Sequence, residues 1–192
     1  MKIGVLAAQG AFAEHIAALG RLGINSAAIR LPADFDGIDG LIIPGGESTT
    51  ISKLLLAYEL GNRIKALVEG GLPVLGTCAG MIILAKKITD ANGVKPLGVM
   101  DIVVRRNAFG RQVDSFETDL SIPVLGTKPF HSVFIRAPRI ESIDPGIEVL
   151  ARLDDGSISA ARQGNKVVCA FHPELTDDLR FHEYFVDIVA NK

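Results

Sequence analysis

Unbroken apolar runs alternate with stretches of helical spacing through the first half of this chain. Ile3 to Ala8 and Gly40-Leu41-Ile42-Ile43 carry no polar residue, and Leu72 to Gly76 repeats the pattern around Pro73. Runs without polar alternation suit parallel strands covered on both faces. Ser26 to Leu31 reads as a further strand. Phe12 to Leu22 sets Ile16, Leu19 and Leu22 along one side, as a helix does. Pro44-Gly45-Gly46 halts the Gly40 run, and Ser48 or Thr49 is placed to cap the next helix, which carries Leu54, Leu55 and Leu56. Ile64 to Val68 continues helically to a Gly70-Gly71 stop. Ala79 to Lys87 reads as the helix that follows the Leu72–Gly76 strand.

Strand and helix in alternation predict an α/β fold: a flavodoxin-like three-layer sandwich with a mainly parallel central sheet. From about Gly98 the pattern changes to short strands with turn signals: Val99 to Val104, Val133 to Arg136, Val149 to Leu153, Ser157 to Arg162 and Lys166 to Phe171. These predict a partly antiparallel C-terminal extension, at the edge of the main sheet or as a small second sheet. Leu179 to Val189 closes the chain as an amphipathic helix. Open parallel sheets bind ligands beyond the C-terminal ends of their strands. Gln9, Pro44-Gly45-Gly46 and Cys78 all fall at such ends, so they can meet in space.

The 192 residues, 48% of them hydrophobic, suit a single domain spanning residues 1–192. A net charge of −2 and a pI near 6.1 do not suggest a nucleic-acid or membrane-surface protein. Cys78 and Cys169 offer neither a disulfide framework nor a metal cluster, which points to a reducing cytoplasm. The apolar N-terminus is interrupted by Gln9-Gly10 too early for a signal peptide, and no run reaches the roughly 18 apolar residues of a membrane span.

Cys78 carries the strongest chemical signal. Gly76-Thr77-Cys78-Ala79-Gly80 sets a thiol between a strand and a helix, flanked by small residues that a sharp elbow needs. A thiol at a helix N-terminus is favoured as thiolate. Cys169, in the plain strand Val167-Val168-Cys169-Ala170-Phe171, reads as core. Phe171-His172-Pro173-Glu174 ends another strand. There residues i and i+2 point the same way, so Glu174 can hold the His172 imidazole and favour its protonated form. Nucleophile, base and orienting acid are then complete. His15, His131 and His182 have weaker claims to be the base; His15 and His182 lie in predicted helices, with no comparable acid beside them. Gly45-Gly46-Glu47-Ser48-Thr49-Thr50 offers close backbone approach and a helix N-terminus suited to an anion, without the ending of a Walker loop. Arg105-Arg106-Asn107-Ala108-Phe109-Gly110-Arg111-Gln112 could hold a carboxylate, although chemistry alone leaves a solvated loop the plainer reading.

Together these pieces resemble the class I (triad) glutamine amidotransferases. Within that superfamily, Ala8-Gln9-Gly10, Pro44-Gly45-Gly46-Glu47-Ser48-Thr49-Thr50, the Arg106–Glu117 segment, Phe134-Ile135-Arg136-Ala137-Pro138 and Phe171-His172-Pro173-Glu174-Leu175-Thr176 are similar to the glutaminase subunits of pyridoxal 5′-phosphate synthase. Ala8 is a small departure from the usual first motif. The resemblance implies Cys78 as nucleophile, His172 as general acid/base and Glu174 as orienting acid. It implies a glutamine site lined by Gly46, Glu47, Ser48, Arg106, Ile135 and Arg136, and an oxyanion hole from the Gly46 and Ala79 N–H groups. Gln9 and Gly10 would couple that hole to a partner, a (β/α)₈-barrel synthase subunit that receives the ammonia. It implies no metal and no organic cofactor. A glutaminase serving another synthase, a PfpI-type cysteine hydrolase and a non-enzymatic binding module remain as competing readings.

Overall fold

The computed structural model describes residues 1–106 and 115–192. In chain order the first half runs β1 (Lys2–Leu6), α1 (Phe12–Arg21), β2 (Asn25–Ile29), β3 (Gly40–Ile43), α2 (Ser48–Ala57), α3 (Leu60–Glu69), β4 (Val74–Thr77) and α4 (Ala79–Leu84). The second half adds β5 (Ala85–Ile88), β6 (Met100–Arg105), β7 (Ser115–Leu120), β8 (Phe130–Ile135), β9 (Arg139–Ile143), β10 (Glu148–Arg152), β11 (Ile158–Gln163), β12 (Lys166–Cys169) and α5 (Arg180–Ala190).

The main sheet has the order β2-β1-β3-β4-β12-β11-β9-β6-β5, with β10 against β11. From β2 to β12 every pairing is parallel. Every residue of β3 and β4 is buried, as the unbroken apolar runs require. The antiparallel extension takes both anticipated forms. β11 and β9 carry the main sheet outward, while β7 and β8 form a separate two-stranded sheet.

Register sets the position of the site. Ile43 pairs with Gly76, and Thr77 with Cys169, so β3, β4 and β12 end side by side. β1 and β3 are neighbours, but their chain continuations leave to different parts of the fold, the point where such sheets open a crevice. The β7–β8 sheet is fastened beside it: His172 N–H donates to Val133 O at 2.8 Å. Phe130 and Phe134 of β8 pack on Phe171, and Phe130 and Phe171 meet Phe181 of α5. Burying each of these rings is worth roughly 1.5–3 kcal/mol.

Three local readings need correction. The cap of α2 is Glu47, not Ser48 or Thr49: its carboxylate accepts from Thr49 N–H at 3.0 Å and Thr50 N–H at 2.7 Å. The helical stretch to Gly70 is two helices, broken where Glu59 takes a left-handed φ of 56°. The helix from Ala79 ends at Leu84 rather than Lys87, because Ala85 to Ile88 pairs with β6, burying Ala85 and Ile88 and leaving Lys86 and Lys87 exposed. β7 and β9, both largely solvent-facing, give no apolar run and were not anticipated.

Candidate active site

Cys78 sits between β4 and α4 with φ 48° and ψ −103°, a conformation that costs a non-glycine residue about 1–3 kcal/mol. Its N–H donates to Cys169 O at 2.8 Å, which fixes the elbow to β12. The small residues around it have a steric cause. A Cβ on Gly80 would lie 1.9 Å from Ile43 O, so a larger residue would push α4 off the end of β3. The thiol is buried and faces Ile135 O at 3.9 Å. Ala79 N–H belongs to the first turn of α4, which supplies no acceptor for it.

His172 Nδ1 lies 2.7 Å from Glu174 Oε1, and the Glu174 side chain is wholly buried. Pro173–Leu175 form a 3-10 turn, so the two side chains meet across a turn rather than along an extended strand as expected. Burial alone would push the His172 imidazole down. Its interactions with Cys78 and Glu174 outweigh that and raise it to about 10. A protonated imidazole beside a thiol is the pairing that keeps a cysteine nucleophilic.

A cavity of about 280 Å³ opens over these groups. Cys78, Ala79, His172, Gln9, Gly46, Glu47, Ser48, Arg106, Ile135 and Arg136 line it, together with Ile82, which the sequence reading did not single out. Glu174 and Gly10 are not part of its lining. The Glu47 carboxylate is occupied in capping α2; burial works against its ionisation, but the bonds from Thr50 and Thr49 hold it down at about 2. Arg106 donates to Ala91 O at 3.0 Å and Thr49 Oγ1 at 3.3 Å, and stands 3.8 Å from Glu47. Arg136 holds a positive φ of 44° at the rim. The expected carboxylate-binding loop falls mostly on residues 107–114, which lie outside the described residues.

Two loops are stitched together at the cavity wall. Gln9 Oε1 accepts from Glu47 N–H at 2.6 Å, and Gly45 O accepts from Ala11 N–H at 3.2 Å. Gly10, at φ 100°, passes so close that a Cβ there would lie 1.9 Å from Gly45 O. Gly46 N–H, on the opposite side of the same planar peptide from Gly45 O, has no acceptor among the described residues.

Behind Cys78, His172 and Glu174 lies a group that the sequence did not reveal. His15 of α1 and His182 of α5 are fully buried and meet each other, and His15 also faces Thr77 and Glu174. No sequence signal joins residues so far apart in the chain. Among the described residues no cluster of three or more His, Cys, Asp or Glu could hold a metal, and no helix is long and apolar enough to cross a membrane.

The pattern of the SNO glutamine amidotransferase family matches residues 5–191. The chain belongs to that family. Its curated relatives include the pyridoxal 5′-phosphate synthase subunit PdxT of Moorella thermoacetica, 58% identical over 190 residues, covering 99% of this chain and 100% of that one. The subunit of the same name from Herpetosiphon aurantiacus is 56% identical over 190 residues, covering 98% and 100%. A crystal structure of a glutamine amidotransferase superposes with a TM-score of 0.92 at 48% identity, covering 98% of each chain. For this SNO family member the α/β fold is therefore shared along essentially its whole length.

Proposed function

We infer that this chain is the glutaminase subunit of a pyridoxal 5′-phosphate synthase, hydrolysing L-glutamine to L-glutamate and ammonia. The observation that carries the reading is the convergence of Cys78, His172 and the Gly46–Ser48 loop on one cavity. Cys78, as thiolate, attacks the side-chain carboxamide carbon of glutamine. The resulting oxyanion is met by the Gly46 and Ala79 N–H groups, each such donor being worth about 3–4 kcal/mol in transition-state stabilisation. His172 gives its proton to the departing ammonia, leaving a γ-glutamyl thioester. It then takes a proton from the water that hydrolyses this thioester and releases glutamate and the free thiol. Glu174 keeps His172 oriented and its imidazolium stable. Gly46, Glu47, Ser48, Arg106, Ile135 and Arg136 hold the glutamine, with Arg106 suited to a carboxylate. The steps call for no cofactor.

The ammonia passes to a (β/α)₈-barrel synthase subunit, in a cytoplasm where Cys78 and Cys169 stay reduced. Docking acts through Gln9 and Gly10, whose contacts with Gly45, Gly46 and Glu47 reach the oxyanion hole directly. The test is intact-mass analysis after acid quench of the chain with glutamine and the synthase subunit. A γ-glutamyl adduct on wild type, absent from Cys78→Ala, is expected. Glutamine turnover without an adduct, or an adduct that persists in Cys78→Ala, would contradict the assignment.

A further inference from the structure

The buried histidines behind the triad have a geometry that packing alone does not require. His15 Nδ1 lies 2.9 Å from His182 Nε2, while His15 Nε2 lies 3.2 Å from Thr77 Oγ1 and 3.3 Å from Glu174 Oε2. Thr77 Oγ1 also accepts from Gly45 N–H at 3.0 Å. Glu174 Oε1 is engaged by His172, but Oε2 is buried without a completed hydrogen bond among the described residues. His15 Nε2 is the donor that faces it. Contacts of this kind are often long in a free enzyme and tighten around substrate.

The protonation pattern follows from the partners. Burial, and then the neighbouring His182 and His172, push His15 well below its ordinary value, and burial lowers His182 to about 4, so both rings are neutral. A neutral imidazole carries one N–H. On His15 it must sit at Nε2, since a bare lone pair there would face a buried carboxylate oxygen. His15 Nδ1 is then an acceptor and takes the Nε2–H of His182. That leaves His182 Nδ1 as an unprotonated nitrogen, and it is the ring atom that has no partner among the described residues.

We propose that His15 is a positioning residue of the triad: its Nε2–H holds the second oxygen of Glu174, in a tautomer that His182 fixes. The inference rests on the glutaminase reading for its catalytic consequence, but its effect on the Cys78 thiol does not need glutamine. Through Thr77 the same ring is joined to Gly45, so α1, the triad acid and the oxyanion loop share one buried junction. The titratable groups facing this junction are Cys78 and Cys169 at the ends of β4 and β12, His172 and Glu174 after β12, and the two histidines. With the donor removed, the Glu174 carboxylate is held in place less firmly, and the His172 imidazolium that it orients and supports is less well placed beside the Cys78 thiol.

The test compares His15→Gln, whose amide nitrogen reaches the Nε2 position, with His15→Asn, whose amide reaches only the Nδ1 position. The readouts are the pH profile of Cys78 alkylation by iodoacetamide in the full chain, and glutaminase kinetics with the synthase subunit. His15→Asn should slow alkylation near neutral pH about ten-fold and lower kcat about ten-fold or more with KM unchanged. His15→Gln should restore both towards wild type. Identical behaviour of the two variants, whether both normal or both impaired, would overturn the proposal and leave His15 a packing residue. If the alkylation profile follows the Gln/Asn pattern while wild type releases no glutamate, the positioning role stands and the glutaminase reading fails.

Discussion

At the scale of single residues, the proposed chemistry depends on two atoms of one carboxylate. Glu174 Oε1 orients His172 and Oε2 faces His15. Glu174→Gln keeps an acceptor for His172 but removes the charge that supports the imidazolium. Its kcat for glutamine hydrolysis should fall by at least about 10²-fold with little change in KM, measured as initial rates of glutamate release. The histidines also predict how stability depends on pH. His172 is raised in the folded state to about 10, so its contribution is complete below its ordinary value of 6.5 and is lost as pH rises towards 10. His182 is lowered to about 4, and an unfolded chain would take up a proton there first, so stability is lost as pH falls from 6.5 to 4. Denaturant unfolding across this range should show a maximum near neutrality. His172→Asn should flatten the alkaline limb and His182→Asn the acid limb. The proposed catalytic side chains stand out in the sequence because each sits in a short contiguous motif, and the structure brings Cys78, His172 and Glu174 together. His15 and His182 were not, because their role exists only once α1 and α5 pack side by side.

At the scale of elements, the site is made by strand ends and the turns that follow them. Gly80→Ala would force a Cβ against Ile43 O and should destabilise the elbow by about 1–3 kcal/mol, seen as a lower denaturation midpoint, while moving Cys78 and lowering kcat. Glu47→Ala removes the cap of α2 and should cost about 0.5–2 kcal/mol in the same measurement, with a raised KM because Glu47 also ties the loop to Arg106. The apolar runs of β1, β3 and β4 announced the parallel half of the sheet clearly, since burial on both faces leaves no room for polar residues. The helix expected to reach Lys87 failed for the opposite reason. Pairing with β6 overrides local helical preference at Ala85 to Ile88, and that pairing is invisible in the sequence. β7 and β9 were missed because strands with an exposed face carry a weaker apolar signal.

At the scale of the whole molecule, family membership and fold fit a glutaminase, and we propose that it is held in check until a synthase docks. In that proposal the wall shared by Gln9, Gly10, Gly45 and Gly46, stitched by Glu47 N–H to Gln9 Oε1 and Ala11 N–H to Gly45 O, would carry the oxyanion donor, and a partner that shifts it would switch the reaction on. Gly10→Ala should block that adjustment and leave glutamine hydrolysis in the complex no faster than in the free chain. The most direct measurement is glutamate release from glutamine by wild type and Cys78→Ala, each with and without the pyridoxal 5′-phosphate synthase subunit. The account predicts weak release by wild type alone, strong release in the complex, and none from Cys78→Ala in either state. Equal release with and without the synthase would contradict the gating, and release by Cys78→Ala would contradict the triad.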